Sequence, residues 1–310
     1  MPNETSNEST GASNPVMYFH HAGLTHTGML REHNEDDYML PAETDATFLV
    51  EKGHLYVLAD GMGGHQKGEV ASAVTVQAVP SEYYASIPAL QGNNTEEAIV
   101  EALSNAIAKA NIKVMEATEG GGTTVVSAVL YGDQLVMMNV GDSRAYLLRN
   151  GELRLISRDH SLVSRLVEMG KITAKEALSH PRRNVLYQAL GQGSDLEIHI
   201  FTEKLQLNDT IILCSDGLWG EITEDDIKKV LKSSVSPRAA VKMLVDMANE
   251  AGGPDNITVI IIQTSDKAPV NGQAHEEDDD DTQPSVVTNQ TKPNTLPEGK
   301  YHTEKSKQYD

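Results

Sequence analysis

The 310-residue chain has one cysteine, Cys214, so no internal disulfide can staple it. It is short of basic residues, with 25 Lys plus Arg against 45 Asp plus Glu, a formal net charge of −20 and a pI near 4.9. Binding a nucleic-acid backbone needs a basic face that releases counterions, so nucleic acid is not expected as a partner. Anionic membrane surfaces are excluded on the same ground. No segment approaches the roughly 18 consecutive apolar residues of a membrane span. The opening MPNETSNESTGASNP lacks the basic-then-apolar order of a secretory leader. A cytoplasmic monomer is the expectation. There is no CxxC, HExxH or GxxxxGK[ST], which leaves zinc ribbon, zincin and P-loop chemistry without support.

What is present is a 39% hydrophobic chain, enough for a sizeable core, between two polar ends. Residues 1–17 and 266–310 read as disordered tails, the second carrying the acidic run Glu276–Asp281. Ten acids against five bases lie in 266–310 and two acids in the first sixteen residues, which leaves −13 for residues 17–265. Residues 54–59, 124–130, 134–140, 144–149, 152–157, 210–214 and 256–263 are short runs rich in Val, Ile, Leu and Tyr, the pattern of strands. Asn150-Gly151 predicts a two-residue hairpin, because both turn positions need positive φ, and Tyr131-Gly132-Asp133 predicts another tight connection. Ala98, Ala102, Ala106 and Ala110, with Ile99, Leu103 and Ile107 beside them, predict a helix over 94–117. A second helix is expected after Gly68, turning Val70, Ala71, Val74 and Ala78 inward. Thr223 with Asp226 suggests a capping box opening 224–232, and Ser236-Pro237 starts a helix that ends at Gly252-Gly253. Strands arriving as hairpins, with few helices between, favour antiparallel sheets covered by helices.

The placement of acids at strand ends carries the chemistry. Asp60-Gly61 ends one run, Asp142 follows another, Asp216-Gly217 a third, and Asp255-Asn256 precedes a fourth. Asp36 sits in Asn34-Glu35-Asp36. Each alone is a turn former. As a group they admit two readings: independent turns, or a cluster whose mutual repulsion a hard divalent cation relieves. Glycine after Asp60 would let the backbone come close enough for its own carbonyl to ligate. Gly61-Met62-Gly63-Gly64-His65-Gln66 is only a near miss to GxGxxG. A cysteine-dependent phosphatase needs Arg six positions after its nucleophile, and Gly220 stands six after Cys214; Cys214 is expected in the core.

In order along residues 19–264, these segments resemble the metal-dependent serine/threonine protein phosphatases of type 2C, in their bacterial form. Arg31–Asp36 is similar to the family's first motif and Asp60–His65 to its DGMGGH. Gly122-Thr123-Thr124, Val140–Arg144, Asp159-His160-Ser161, His180–Asn184, Ser215–Trp219 and Asp255–Thr258 are similar to the rest. The resemblance implies an α+β fold: a four-layer α-β-β-α sandwich with two central antiparallel β-sheets flanked by helices. Residues 18–265 would form the catalytic domain, with a flap at about 160–200.

The resemblance also implies two Mn²⁺ or Mg²⁺ ions per active site. Asp60 would bridge them, Gly61 would give a carbonyl, Asp216 and Asp255 would ligate the first, and Asp36 would hold metal-bound waters. Asp142 with Asp216 would form a third, weaker site. Arg31 would hold the substrate phosphate while a hydroxide between the two metals attacks phosphorus directly. His65 is the candidate general acid, against the alternative of a loop histidine that binds water or phosphate. The basic flap residues Arg182 and Arg183 are candidates for contacting phosphopeptides, against a solvated insertion. The implied substrates are phosphorylated proteins, and the implied partner is a cognate Hanks-type serine/threonine kinase. The competing class is a phosphatase-fold scaffold or binding module with weak or no catalysis.

Overall fold

The structure, a computed structural model, describes residues 17–41, 46–63, 66–178 and 180–268. The two expected tails therefore lie outside the described residues, apart from Met17 and residues 266–268. In chain order the strands are β1 (Tyr18–His26), β2 (Asp36–Met39), β3 (His54–Met62), β4 (Gly122–Thr123), β5 (Val125–Tyr131), β6 (Gln134–Val140), β7 (Arg144–Arg149), β8 (Glu152–Leu155), β9 (His199–Lys204), β10 (Thr210–Cys214) and β11 (Ile257–Ser265). The helices are α1 (Ala46–Lys52), α2 (Gln66–Ser86), α3 (Thr95–Thr118), α4 (Leu162–Glu168), α5 (Ala174–Leu178), α6 (Asp216–Trp219), α7 (Glu224–Ser233) and α8 (Pro237–Glu250).

The strands form two antiparallel sheets, one ordered β1-β11-β10-β7-β8 and the other β2-β3-β5-β6-β9, with β4 paired to β3. Helices α2 and α3 cover the outer face of the second sheet, and α7 and α8 that of the first. The fold is the four-layer α-β-β-α sandwich that the resemblance implied. Local chemistry drives it as read. Asn150 and Gly151 take φ 52° and 79° in the hairpin joining Arg149 to Glu152. The side chains of Thr223 and Ser236 cap α7 and α8.

Three apolar layers follow from the strand period of two. In β3, Leu55, Val57 and Ala59 pack under α2 and α3, while Tyr56 and Leu58 point between the sheets. In β11, Val259 and Ile261 face α8, while Ile260 and Ile262 enter the central layer. Each fully buried side chain of this size contributes roughly 1.5–3 kcal/mol.

Three features differ from the sequence reading. Helix α2 begins at Gln66 and turns Ala71, Thr75, Val79 and Tyr83 inward, whereas Val70 is exposed and Val74 half-buried. Alanine and valine recur on every side of this helix, which gave its buried face little contrast. Strands β1 and β9 were not expected. Both are edge strands, β1 half-buried along its whole length and β9 alternating with exposed residues, so neither carries an apolar run.

Candidate active site

At one end of the sandwich the central layer stops being apolar. The strand positions that face it there are Thr25, Asp36, Asp60, Thr124, Asn139, Ser143 and Thr258. Each lies in step, two residues at a time, with the apolar residues deeper in its strand or in the strand that follows. Register fixes the set. Asp36 pairs directly with Asp60, and Thr25 with Thr258. The connections meet at the same mouth. Residues 27–35 cross from β1 in one sheet to β2 in the other and carry Arg31. Residues 141–143 cross from β6 to β7 and carry Asp142 at their centre. So short a crossing needs Gly141 at φ +104°, where a Cβ would lie 2.6 Å from the Thr124 side chain. Asp216 opens α6 directly after β10, and Asp255 lies two residues before β11.

Hydrogen bonds hold this frame. The Asp60 carbonyl accepts from Thr124 N (2.9 Å) and Thr123 Oγ1 (2.8 Å). Thr258 Oγ1 donates to Asp36 Oδ2 across the gap between the sheets (2.7 Å). Asn256 ties the 27–35 crossing at both ends. Its Nδ2 donates to Thr27 O (2.8 Å) and His33 O (2.9 Å), and its Oδ1 accepts from Glu35 N (2.8 Å). Arg31 Nη2 donates to Asp255 Oδ2 at 2.7 Å, with both side chains part-exposed.

The electrostatics are those of acids forced together. Burial pushes the Asp36 carboxyl up to about 7 against the hydrogen bonds from Thr258 and Ser215, with Asp216 and Asp255 adding repulsion. Burial raises Asp60 well above the carboxylate range, and Asp36, Asp216, Asp142 and Asp255 raise it further. Asp142 is raised likewise by burial and by Asp216 and Asp159. Asp216 reaches about 6, from burial and Asp255, eased by Arg31 and by a hydrogen bond from Asp60. In all four the first cause is burial, with neighbouring carboxylates adding to it.

Among the described residues no three such side chains form a preset metal cage. Even so, the donor set fits a divalent metal. It is all oxygen, and the repulsion that raises these carboxyls is what a 2+ ion would relieve. Gly61 leaves no room for a side chain against the backbone oxygens of Glu35 and Gly68.

Asp36, Asp60, Asp142, Asp216, Asp255 and Arg31 are therefore brought to one mouth. Arg182 and Arg183 are not part of that contact network. They lie in an exposed turn after α5 and form no ion pair among the described residues. His65 lies outside the described residues. The flap between β8 and β9 is nonetheless rooted at the site. His160 N donates to Gly141 O (2.9 Å), beside Asp142, and Leu190 exchanges two backbone bonds with Thr123 (2.9 and 3.0 Å). The sequence reading gave no role to Thr258, Thr124 and Asn256. Thr258 was visible as the polar member of the face that continues to Ile260 and Ile262. Trp219 donates from Nε1 to Asp142 O (3.1 Å) and stacks under Arg144 at 3.7 Å.

Comparison with known proteins agrees with this geometry. Residues 33–251 match the family described as Protein phosphatase 2C. The serine/threonine phosphatase stp of Listeria welshimeri is 37% identical over 245 residues, 77% of this chain and 93% of that protein. The solved serine/threonine phosphatase of S. agalactiae superposes with a TM-score of 0.71 at 33% identity, covering 79% of this chain and 99% of its own. The catalytic domain of the phosphatase PstP, solved in complex with 2 manganese ions, gives 0.66 at 30% identity, with 81% and 100% covered.

Proposed function

The chain belongs to the protein phosphatase 2C family, the bacterial serine/threonine phosphatases, and from that membership we propose that it hydrolyses phosphoserine and phosphothreonine in proteins at the carboxylate mouth between its two sheets. The observation that carries the reading is the set of four aspartates gathered at one mouth, Asp36 and Asp142 buried and Asp60 and Asp216 half-buried, with one guanidinium in reach. Family members are metal-dependent, and the PstP domain holds two manganese ions; two Mn²⁺ or Mg²⁺ are proposed here. When bound, such ions lower the pKa of water and neutralise phosphoryl oxygens. Asp60, Asp216, Asp255 and the Gly61 carbonyl would hold them, Asp36 would orient their waters, and Asp142 with Asp216 would take a third.

The chain's own part is positioning. Arg31 presents a planar fork suited to two phosphoryl oxygens. Its present partner Asp255 is a proposed ligand, so occupation of the site would free the guanidinium for phosphate. Asn256 fixes the loop that carries it. Cys214 does not suit a cysteinyl phosphoenzyme. Cys214 points away from the central layer toward α8, and burial pushes its thiol up to about 12. Direct attack by water, as the family resemblance implies, is the proposed route. His65 remains the proposed donor to the leaving seryl or threonyl oxygen, and Arg182 and Arg183 the proposed contacts for peptide. A cognate serine/threonine kinase would supply the substrates. The test is p-nitrophenyl phosphate hydrolysis. Activity is expected with Mn²⁺, and is lost with EDTA and at least 100-fold reduced in Asp216→Ala. Activity surviving chelation overturns the metal reading.

A further inference from the structure

Two large apolar side chains stand at the edge of the site, largely uncovered by the described residues. Met29 is 63% and Leu30 73% exposed. They immediately precede Arg31 in the crossing from β1 to β2. That crossing is not a loose loop. Met29 N donates to Gly253 O (2.7 Å) and Gly28 N to His26 Nδ1 (2.9 Å). Gly28 sits at φ +81° so close under Asp255 that a Cβ would overlap the Asp255 carbonyl oxygen. On the other side of Arg31, Asn256 takes His33 O and Glu35 N. The backbone is thus fixed against the segment that carries Asp255, and the two side chains are held in water on it.

Exposed apolar side chains are ordinary on mobile or remote surface. A pair on a backbone pinned at the lip of a site differs, because covering it costs little further ordering of the protein. We infer that Met29 and Leu30 form an apolar lip that reads the substrate peptide, favouring a large apolar side chain within two residues of the phosphorylated serine or threonine. The inference rests on the phosphatase reading above and adds its substrate class. The occupant follows from continuity. Arg31 is the proposed phosphate anchor, and consecutive Cα atoms lie 3.8 Å apart. Leu30 and Met29 therefore stand one and two residues from that anchor, about the advance of one to two residues of extended peptide. The surface is apolar, so it distinguishes flanking residues by area and not by charge.

The experiment compares two phosphothreonine peptides on the Mn²⁺-loaded full chain. One carries Leu at the two positions on either side of the phosphothreonine, and the other carries Gly there. The wild type is expected to prefer the Leu peptide about tenfold in kcat/KM, mainly through KM. The double variant Met29→Ser/Leu30→Ser is expected to retain no more than about twofold of that preference, and Leu30→Ile to keep it. Each ratio is taken within one preparation, so loss of folded enzyme cancels. Equal rates on both peptides by the wild type, or a preference that survives the double substitution, overturns the lip and leaves the phosphatase reading standing. Hydrolysis of neither peptide overturns both.

Discussion

Asp36→Asn should make the metal-free protein more stable at pH 8, although it removes a side chain at the centre of the site. The Asp36 carboxyl rises from 3.8 to about 7 on folding, first because it is buried. An acid whose folded value lies above its unfolded value holds its proton more tightly in the folded state. Its contribution against folding is absent below about pH 4, grows through the interval and is complete above about pH 7. Three pH units correspond to roughly 4 kcal/mol at 1.36 kcal/mol each. Asparagine keeps an oxygen to accept from Thr258 Oγ1 and carries no charge, but its NH₂ lacks a made partner. That offsets about 1–2 kcal/mol and leaves a gain of about 2–3 kcal/mol. For a domain of this size the gain is about 5–10 °C in Tm. Thermal unfolding followed by circular dichroism in EDTA at pH 5, 6, 7 and 8 reads it directly. The advantage of Asp36→Asn over the wild type should grow across that range; the difference is the readout, because His21 and His54, brought to about 4 by burial, raise the stability of both proteins as pH climbs to about 6.5. Mn²⁺ at pH 8 should raise the wild type more than the variant. A variant no more stable than the wild type at pH 8, or an advantage that does not grow from pH 5 to 8, refutes the account of Asp36 as a buried acid held against its charge.

Asn256→Ala removes three hydrogen bonds from a buried side chain and should lower unfolding free energy by about 2–4 kcal/mol in urea titration, while raising KM for p-nitrophenyl phosphate as the Arg31 crossing loosens. Trp219 is the chain's one tryptophan and donates to the Asp142 carbonyl, so its emission should change as Mn²⁺ is titrated; the same curve in Asp142→Asn would separate that emission from the Asp142 site. Replacing Arg182 and Arg183 by alanine should raise KM for a phosphopeptide about tenfold more than for p-nitrophenyl phosphate; equal effects would leave the flap cations without a peptide role.

The strands with a buried face on both sides were legible because their runs are mostly apolar, as in Ile257–Ser265 and Val125–Tyr131. The hairpin at Asn150-Gly151 was legible because positive φ restricts the residues that can stand there. The edge strands were not. Tyr18–His26 holds three histidines and a glycine, and its place is set by pairing with β11 along its whole length, a tertiary contact that no local signal encodes. At the site, Asp60, Asp142 and Asp216 were visible as polar residues closing apolar runs and Asp255 as one preceding a run. Their convergence was visible through the family motifs and not through spacing, since residues 36, 60, 142, 216 and 255 meet through sheet order. Thr258 shows the limit most clearly. Within its strand it is one polar residue before a row of isoleucines, and it acquires a function only because the opposite sheet places Asp36 2.7 Å away.

That contact also explains why the site sits at the mouth and not within the sandwich. Deeper along the same faces, β3 and β11 meet through Tyr56, Leu58, Ile260 and Ile262, which exclude water and fix the spacing of the sheets. The same spacing, carried one strand step further, sets the distance over which Thr258 reaches Asp36. The apolar layer therefore determines the geometry of the charged one. A cavity made by shrinking Ile260 should be felt at the carboxylates as well as in stability. Ile260→Ala is expected to destabilise by about 2–5 kcal/mol. By letting the sheets shift, it should also weaken Mn²⁺ binding measured by calorimetry. Ile261→Ala removes the same atoms from the outer layer, against α8. It should show a comparable loss of stability with Mn²⁺ affinity retained, and equal losses of affinity in the two variants would contradict the coupling.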